Sequence, residues 1–205
     1  MFKNFSDSNP PDVLEYLILT AHLAEYAEWD NRPHLERMRR YTYVIATALE
    51  LSHEQSNLIS LAAILHDVGK IAIPVAILKK TANLDPAEYE ITERHTLEGA
   101  RLLRRSNAAV LQTATMIAQT HHERWDGSGY PEGLRGEQIP LSGRIVALAD
   151  VFDALTTRRS YKKEMPPVEA LELIKRSSGI LFDPRLVGIF TARFEELQAI
   201  LQSTN

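Results

Sequence analysis

Residues 52–69 read SHEQSNLISLAAILHDVG, and this stretch predicts the helix around which the fold is built. Its start is a capping box, in which Ser52 is followed three positions later by Gln55. Apolar residues then follow helical spacing at Leu58, Ile59, Leu61, Ala62, Ile64 and Leu65. We predict that the helix runs to His66 and Asp67 and that Gly69 stops it. An imidazole and a carboxylate, those of His66 and Asp67, are therefore adjacent at the end of this predicted helix.

The rest of the chain repeats the helical pattern and predicts an all-α fold. Further helices are expected over 12–28, 33–49, 85–103, 109–122, 140–157, 167–178 and 183–201, and we find no alternating strand pattern. The segment DGSGYPEGLRGEQIP at 126–140 has four glycines and two prolines, so it is predicted to be a loop. The expected architecture is one bundle of about seven to eight helices.

Composition excludes several classes of partner and ligand. The chain has 205 residues, of which 44% are hydrophobic, and this balance is typical of one globular domain. A formal net charge of −4 gives no electrostatic signature for nucleic acid or an anionic membrane. There is no cysteine, so imidazole and carboxylate groups must hold any metal. With no signal peptide pattern and no span of about 18 apolar residues, we expect a cytoplasmic protein.

Two parts are expected along the chain. Residues 1–29 are interpreted as an N-terminal tail and helix, and residues 30–205 as one helical domain. The apolar face of the helix at 12–28 is a plausible contact for a homodimer.

Histidine placement provides the first functional signal. Five of the seven histidines lie near predicted helix ends or in an adjacent pair: His34, His66, His95, His121 and His122. Neutral imidazole beside carboxylates suits divalent iron, manganese or zinc. His22 and His53 lack such a context and are interpreted as structural.

Several long blocks, in order, carry a specific resemblance. They are HLERMRRY at 34–41, LHDVGKIAIP at 65–74, RHTLEGARLL at 94–103, HHERWDGSGYPEGLRGEQIPLSGRIVALADVFDALTTRRSYKK at 121–163 and GILFDPRLVGIF at 179–190. The stretch from Asp30 to Phe194 resembles the HD-GYP family, a branch of the HD phosphohydrolases. The resemblance implies an HD-type helical bundle with a Gly/Pro-rich GYP loop.

The same resemblance implies a ligand set for two divalent ions, with iron or manganese ahead of zinc. His34, His66, Asp67 and Asp150 match ligands of one ion, and His95, His121 and His122 match ligands of a second, with Asp67 bridging both. Some family members hold a third ion through a Glu at the position of Asp30. Aspartate is shorter, so a third ion and a helix-capping role for Asp30 both stay open.

The remaining matched residues imply substrate contacts. Lys70 matches a lysine close to the scissile phosphate, where an ammonium group stabilises transition-state charge. Tyr130 offers a ring for guanine, and Gly129 lets the backbone approach a ligand. Arg159 and Lys162 match contacts to phosphate or guanine. Asp153 lies one turn after Asp150 and is expected to orient a ligand or Lys70.

The resemblance implies a cyclic di-GMP phosphodiesterase, in which a hydroxide bridging two metals opens the substrate to pGpG, with GMP as a further product left open. Two alternatives remain at this point. One is a non-catalytic signalling module that binds cyclic di-GMP or a protein such as a diguanylate cyclase. The other is a hydrolase of a related cyclic dinucleotide. Family members often carry a sensory or receiver domain. Three interpretations therefore stay open: a stand-alone enzyme, a fragment of a longer regulated protein, or control by a sensory or receiver partner.

Overall fold

The computed structural model describes residues 13–24, 32–157 and 163–204, and all regular secondary structure in these ranges is helical. The α-helices are α1 (Val13–Ala24), α2 (Arg32–Ala48), α3 (His53–Ala63), α4 (Val75–Leu78), α5 (Pro86–Glu93), α6 (His95–Leu103), α7 (Ala109–Thr120), α8 (Leu141–Thr156), α9 (Pro167–Arg176), α10 (Pro184–Ala192) and α11 (Phe194–Ser203). Short 3-10 turns cover Val68–Ala72 and Gly136–Gln138. The predicted all-α class is confirmed.

Two predicted helices are interrupted, which raises the number of helical segments. The helix expected over 85–103 divides at Arg94 into α5 and α6, and the one expected over 183–201 divides at Arg193 into α10 and α11. Arg94 keeps helical angles, and its N–H donates to Ile91 O in a tighter i to i−3 bond, so the α-helical hydrogen-bond pattern is interrupted there. His95 is therefore the first residue of a new helix.

The helix that opens at Ser52 has the predicted start and an earlier end. Ser52 Oγ accepts from the Gln55 N–H at 3.2 Å, and Gln55 Oε1 accepts from the Ser52 N–H at 3.1 Å, which completes the capping box. The α-helix ends at Ala63, so His66 and Asp67 lie in the turn before Val68–Ala72.

Gly69 has a different role from the predicted helix stop. A Cβ at this position would lie 1.9 Å from the carbonyl oxygen of His95 and 2.4 Å from the nitrogen of Gly99. The turn after α3 therefore packs backbone to backbone against α6, at a distance that only glycine allows.

The core holds the helices that carry the candidate ligands. Helices α2, α3, α7 and α8 pack on one another, and α6 packs on α7 and on the Val68–Ala72 turn. Phe152 of α8 lies between Tyr41 and Phe190, with edge-to-face ring separations of 5.4 and 5.1 Å. All three side chains are buried, and burying a phenylalanine contributes about 1.5–3 kcal/mol. This packing fixes α2 and α8 relative to each other.

Helix α1 joins the same core. Leu17, Ala21 and Ala24 are buried in it, whereas Tyr16 and Leu23 remain exposed. The predicted boundary at 29/30 lies outside the described residues, so the division into two parts stays a prediction. No helix in the described ranges has the length and apolar character needed to cross a bilayer.

Candidate metal centre

Seven side chains with metal-binding atoms converge from five parts of the chain. His34 lies in the first turn of α2, His66 and Asp67 in the turn after α3, His95 at the start of α6, and Asp150 in α8. His121 and His122 directly follow α7. These side chains form two groups. The first group is Asp67, His95, His121 and His122, and the second is His34, His66 and Asp150. Within each group the candidate ligand atoms lie within 4.8 Å of one another.

Asp67 lies between the two groups. Its Oδ2 is 3.3 Å from Nε2 of His66, and its Oδ1 is 3.3 Å from Nε2 of His95 and 3.4 Å from Nε2 of His121. One carboxylate oxygen therefore faces each group, which is the arrangement that a bridging ligand requires.

Backbone carbonyls fix the orientation of three imidazoles. Nδ1 of His66 lies 2.9 Å from Ala63 O, Nδ1 of His95 lies 2.6 Å from Thr92 O, and Nδ1 of His121 lies 3.0 Å from Ile117 O. A carbonyl oxygen only accepts, so Nδ1 carries the proton in each ring. In the neutral rings the Nε2 lone pairs then point towards Asp67.

The protonation states suit metal ligands. Burial lowers the pKa of His121, and burial together with the neighbouring His121 and His95 lowers the pKa of His122 well below its usual range, so both rings are neutral at pH 7. Burial alone would raise the pKa of Asp67. The Lys70 ammonium, whose Nζ is 2.7 Å from Asp67 Oδ2, opposes the effect of burial, and the pKa of Asp67 lies well below its usual range.

These residues fit a divalent cation. Asp67 Oδ1 is buried without a hydrogen-bond partner among the described residues, which typically costs about 1–3 kcal/mol. The Nε2 atoms of His95 and His121 are only 3.5 Å apart, so their lone pairs repel each other. A cation between these atoms would satisfy the carboxylate oxygen and offset the repulsion. Nitrogen and oxygen donors without thiolate suit iron, manganese and zinc.

Asp153 lies behind His34. Its Oδ2 accepts from His34 Nδ1 at 2.7 Å, which leaves His34 Nε2 towards His66 and Asp150. Arg37 donates to the same carboxylate, with Nε 2.5 Å from Oδ1 and Nη2 3.1 Å from Oδ2. Of the two expected partners for Asp153, a ligand or Lys70, these contacts point to the candidate ligand His34. Sequence reasoning assigned no role to Arg37, although it follows His34 by one helical turn.

The GYP loop is anchored by a residue that sequence reasoning missed. Glu123 is only 3% exposed, and its two carboxylate oxygens accept from the N–H groups of Glu132 at 2.7 Å and Leu134 at 3.0 Å. The N–H groups of Trp125 and Asp126 donate to the carbonyls of Leu181 and Ile180. Glu123 could have been found from the sequence, because it is a carboxylate directly after the histidine pair and before a glycine-rich loop.

Tyr130 and Gly129 lie beside the histidine pair. The Tyr130 ring stacks on His122, with centroids 4.8 Å apart and planes 24° apart, and burial raises the pKa of its hydroxyl. A Cβ on Gly129 would lie 2.4 Å from Arg124 N, so Gly129 is needed for close packing of the loop on its own start. This packing is a different reason for glycine from the expected approach to a ligand.

Three predicted site residues, Asp30, Arg159 and Lys162, lie outside the described residues. The two histidines interpreted as structural lie apart from both ligand groups. His53, for example, contacts the Tyr43 hydroxyl at 3.0 Å and the Asn57 amide at 2.9 Å.

Comparison with known proteins places the chain in a family. A sequence model described as HD domain matches residues 17–186. Over 186 residues the chain is 46% identical to a cyclic di-GMP phosphodiesterase of Thermotoga maritima, covering 91% of this chain and 50% of that protein. It is 41% identical over 183 residues to 3'3'-cGAMP-specific phosphodiesterase 2 of Vibrio cholerae, covering 89% of this chain and 35% of that protein. The chain thus spans half or less of these relatives.

Solved structures share the fold. A cyclic GMP-AMP specific phosphodiesterase of V. cholerae matches with a TM-score of 0.61 and 23% identity, over 92% of this chain and 53% of that one. A protein described as HDG"Y"P from Bdellovibrio bacteriovorus matches with a TM-score of 0.59 and 19% identity, over 93% and 61%. The chain belongs to the HD domain family, and its resemblance to the HD-GYP branch is confirmed.

Proposed function

We propose that the protein is a metal-dependent phosphodiesterase that hydrolyses cyclic di-GMP to pGpG. The observation that carries this proposal is the pair of His/Asp groups that share Asp67. Two cations held side by side are suited to an in-line displacement at phosphorus. The name of the T. maritima relative supports cyclic di-GMP as the substrate.

Each group of side chains has a separate task in this proposal. One cation would be held by His34, His66 and Asp150. A second would be held by His95, His121 and His122, and Asp67 lies between the two groups. Such cations would lower the pKa of a water molecule and withdraw charge from the phosphate. Lys70, which neutralises Asp67 in the described structure, presents its ammonium group to a phosphate oxygen and stabilises charge that develops there. Asp153 keeps the His34 ring in its ligating orientation.

Several finer assignments belong to the same proposal. Iron or manganese is favoured over zinc, and a third ion through Asp30 is left as an alternative. Gly129, Tyr130, Arg159 and Lys162 are proposed substrate contacts, by resemblance to the family. Hydrolysis continuing to GMP, a cytoplasmic location and control by a diguanylate cyclase or sensory partner are likewise proposals. The exposed Tyr16 and Leu23 on α1 favour a homodimer contact.

A related cyclic dinucleotide is the second candidate substrate. The observation that favours it is the 41% identity to a relative named as specific for 3'3'-cGAMP. A panel of cyclic di-GMP, 3'3'-cGAMP and cyclic di-AMP with the metal-loaded protein would rank the three by kcat/KM.

The primary test measures metal content and turnover together. The protein is loaded anaerobically with iron or manganese, and pGpG formation is followed by chromatography. We expect about two ions per chain, and loss of both metal and turnover in the His66→Ala, Asp67→Ala double variant. His53→Ala removes a histidine far from both groups and serves as the matched control. Metal binding without cleavage of any cyclic dinucleotide would instead support a non-catalytic binding module.

A further inference from the structure

Two aromatic rings adjoin each other beside the site. One face of the Tyr130 ring stacks on His122, and Tyr89 of α5 meets Tyr130 in an edge-to-face contact with centroids 6.4 Å apart. Tyr89 itself is 48% exposed, so its ring offers a second aromatic surface beside the site.

Glu93 lies one helical turn after Tyr89, so the two side chains share a face of α5. Tyr89 meets Tyr130 of the GYP loop from this face. Glu93 also lies only two residues before the candidate ligand His95, so this end of the face is next to the candidate centre.

The carboxylates of α5 differ in their partners. Glu88 pairs with Lys80, and Glu90 pairs with Arg94, so both are neutralised locally. Within the described ranges Glu93 has no ion-pair partner. An acceptor with two oxygens is therefore available next to an exposed aromatic ring.

We propose that Tyr89 and Glu93 form a guanine subsite on α5, in which the ring stacks on the base and the carboxylate accepts from its Watson–Crick edge. Guanine presents two adjacent donors on that edge, the ring N1–H and the exocyclic amine, which match the two oxygens of a carboxylate. Adenine presents an acceptor nitrogen at the same place, which a carboxylate repels. Stacking of a base on an aromatic side chain is worth about 1–3 kcal/mol and does not distinguish the bases.

This subsite rests on the proposed function and deepens it, because it names the residues that would select guanine in one half of a cyclic dinucleotide. The two residues are predicted to have different effects on binding. Tyr89 contributes affinity for any base, whereas Glu93 contributes discrimination between guanine and adenine.

Equilibrium binding tests the subsite without turnover. Calorimetric titrations of the full chain in EDTA use cyclic di-GMP and cyclic di-AMP as probes. Glu93→Gln should weaken cyclic di-GMP about tenfold, since an amide offers only one acceptor, and should bind cyclic di-AMP at least as tightly as the unmutated protein does, since the carboxylate that repels the adenine nitrogen is gone. Tyr89→Leu should weaken both probes about tenfold, and Tyr89→Phe should bind like the unmutated protein.

Glu90→Gln is the matched control, because it removes a charge from the same helix at a residue that already has a partner. The subsite is overturned if Glu93→Gln binds like Glu90→Gln, if Tyr89→Leu binds like the unmutated protein, or if the unmutated protein binds neither probe. The proposed function fails separately, when the metal-loaded unmutated protein makes no pGpG.

Discussion

Asp153 Oδ2 lies 2.7 Å from Nδ1 of His34, and the same carboxylate is held from behind by Arg37. Asp153 is only 1% exposed. A buried carboxylate of this kind fixes the tautomer and direction of a metal-binding imidazole.

Asp153→Asn should weaken metal binding and lower stability. Loss of the carboxylate charge leaves Arg37 buried without a counter-charge, at a cost of about 3 kcal/mol. Metal affinity should fall about 10–100-fold, because the His34 ring loses its orienting partner. Metal titrations and urea unfolding would measure both effects. Unchanged metal affinity in a folded variant would contradict the orienting role.

Acid should remove the contribution of Asp153. Burial alone would raise its pKa, but the contacts with His34 and Arg37 lower the pKa from 3.8 to about 2. Because the pKa of Asp153 is lowered on folding, its ionised carboxylate adds roughly 2 kcal/mol to the free energy of unfolding above pH 3.8. This contribution is lost as the pH falls towards 2. We expect the difference in unfolding free energy between the unmutated protein and Asp153→Asn to narrow over this range. A constant difference would argue against this linkage.

Gly69→Ala should destabilise the fold and disturb the centre. The new Cβ would lie 1.9 Å from His95 O, so α6 and the turn that carries Asp67 must separate. We expect a loss of about 1–3 kcal/mol or more in unfolding free energy, together with weaker metal binding.

Gly188→Ala is the matched control for that substitution. Gly188 lies in α10, and a Cβ there meets no atom within 4 Å. Alanine in a helix is favoured over glycine by about 0.5–1 kcal/mol, so this variant should be slightly more stable. Equal effects of the two variants on thermal unfolding would show that close packing at Gly69 is unimportant.

Glu123→Gln should loosen the GYP loop. The amide keeps one acceptor and turns a donor towards the N–H of either Glu132 or Leu134, at a cost of about 1–3 kcal/mol. Hydrogen exchange at these two amides should become faster while metal content is retained. Glu137→Gln changes an exposed glutamate in the same loop and should leave exchange unaltered. If both variants exchange alike, Glu123 does not anchor the loop.

Local patterns predicted much of the fold. The capping box at Ser52 and the apolar spacing in α3 act over three or four residues, so they can be read directly from the sequence. The breaks at Arg94 and Arg193 were not predicted, since helical spacing continues through both positions. The resemblance to the HD-GYP family indicated the candidate metal ligands, and the structure brings the seven candidate ligands in the described ranges together in two groups.

The sequence by itself determined the all-helical class, the start of most helices, the types of donor atom and their positions along the chain, because these depend on neighbouring residues. The tertiary structure decided which atoms meet. Asp153 is 119 residues from His34, and Glu123 reaches backbone groups 9 and 11 residues away. Gly69 owes its role to the backbone of another helix. Such contacts depend on how helices pack, and packing is a property of the whole core that no local pattern contains.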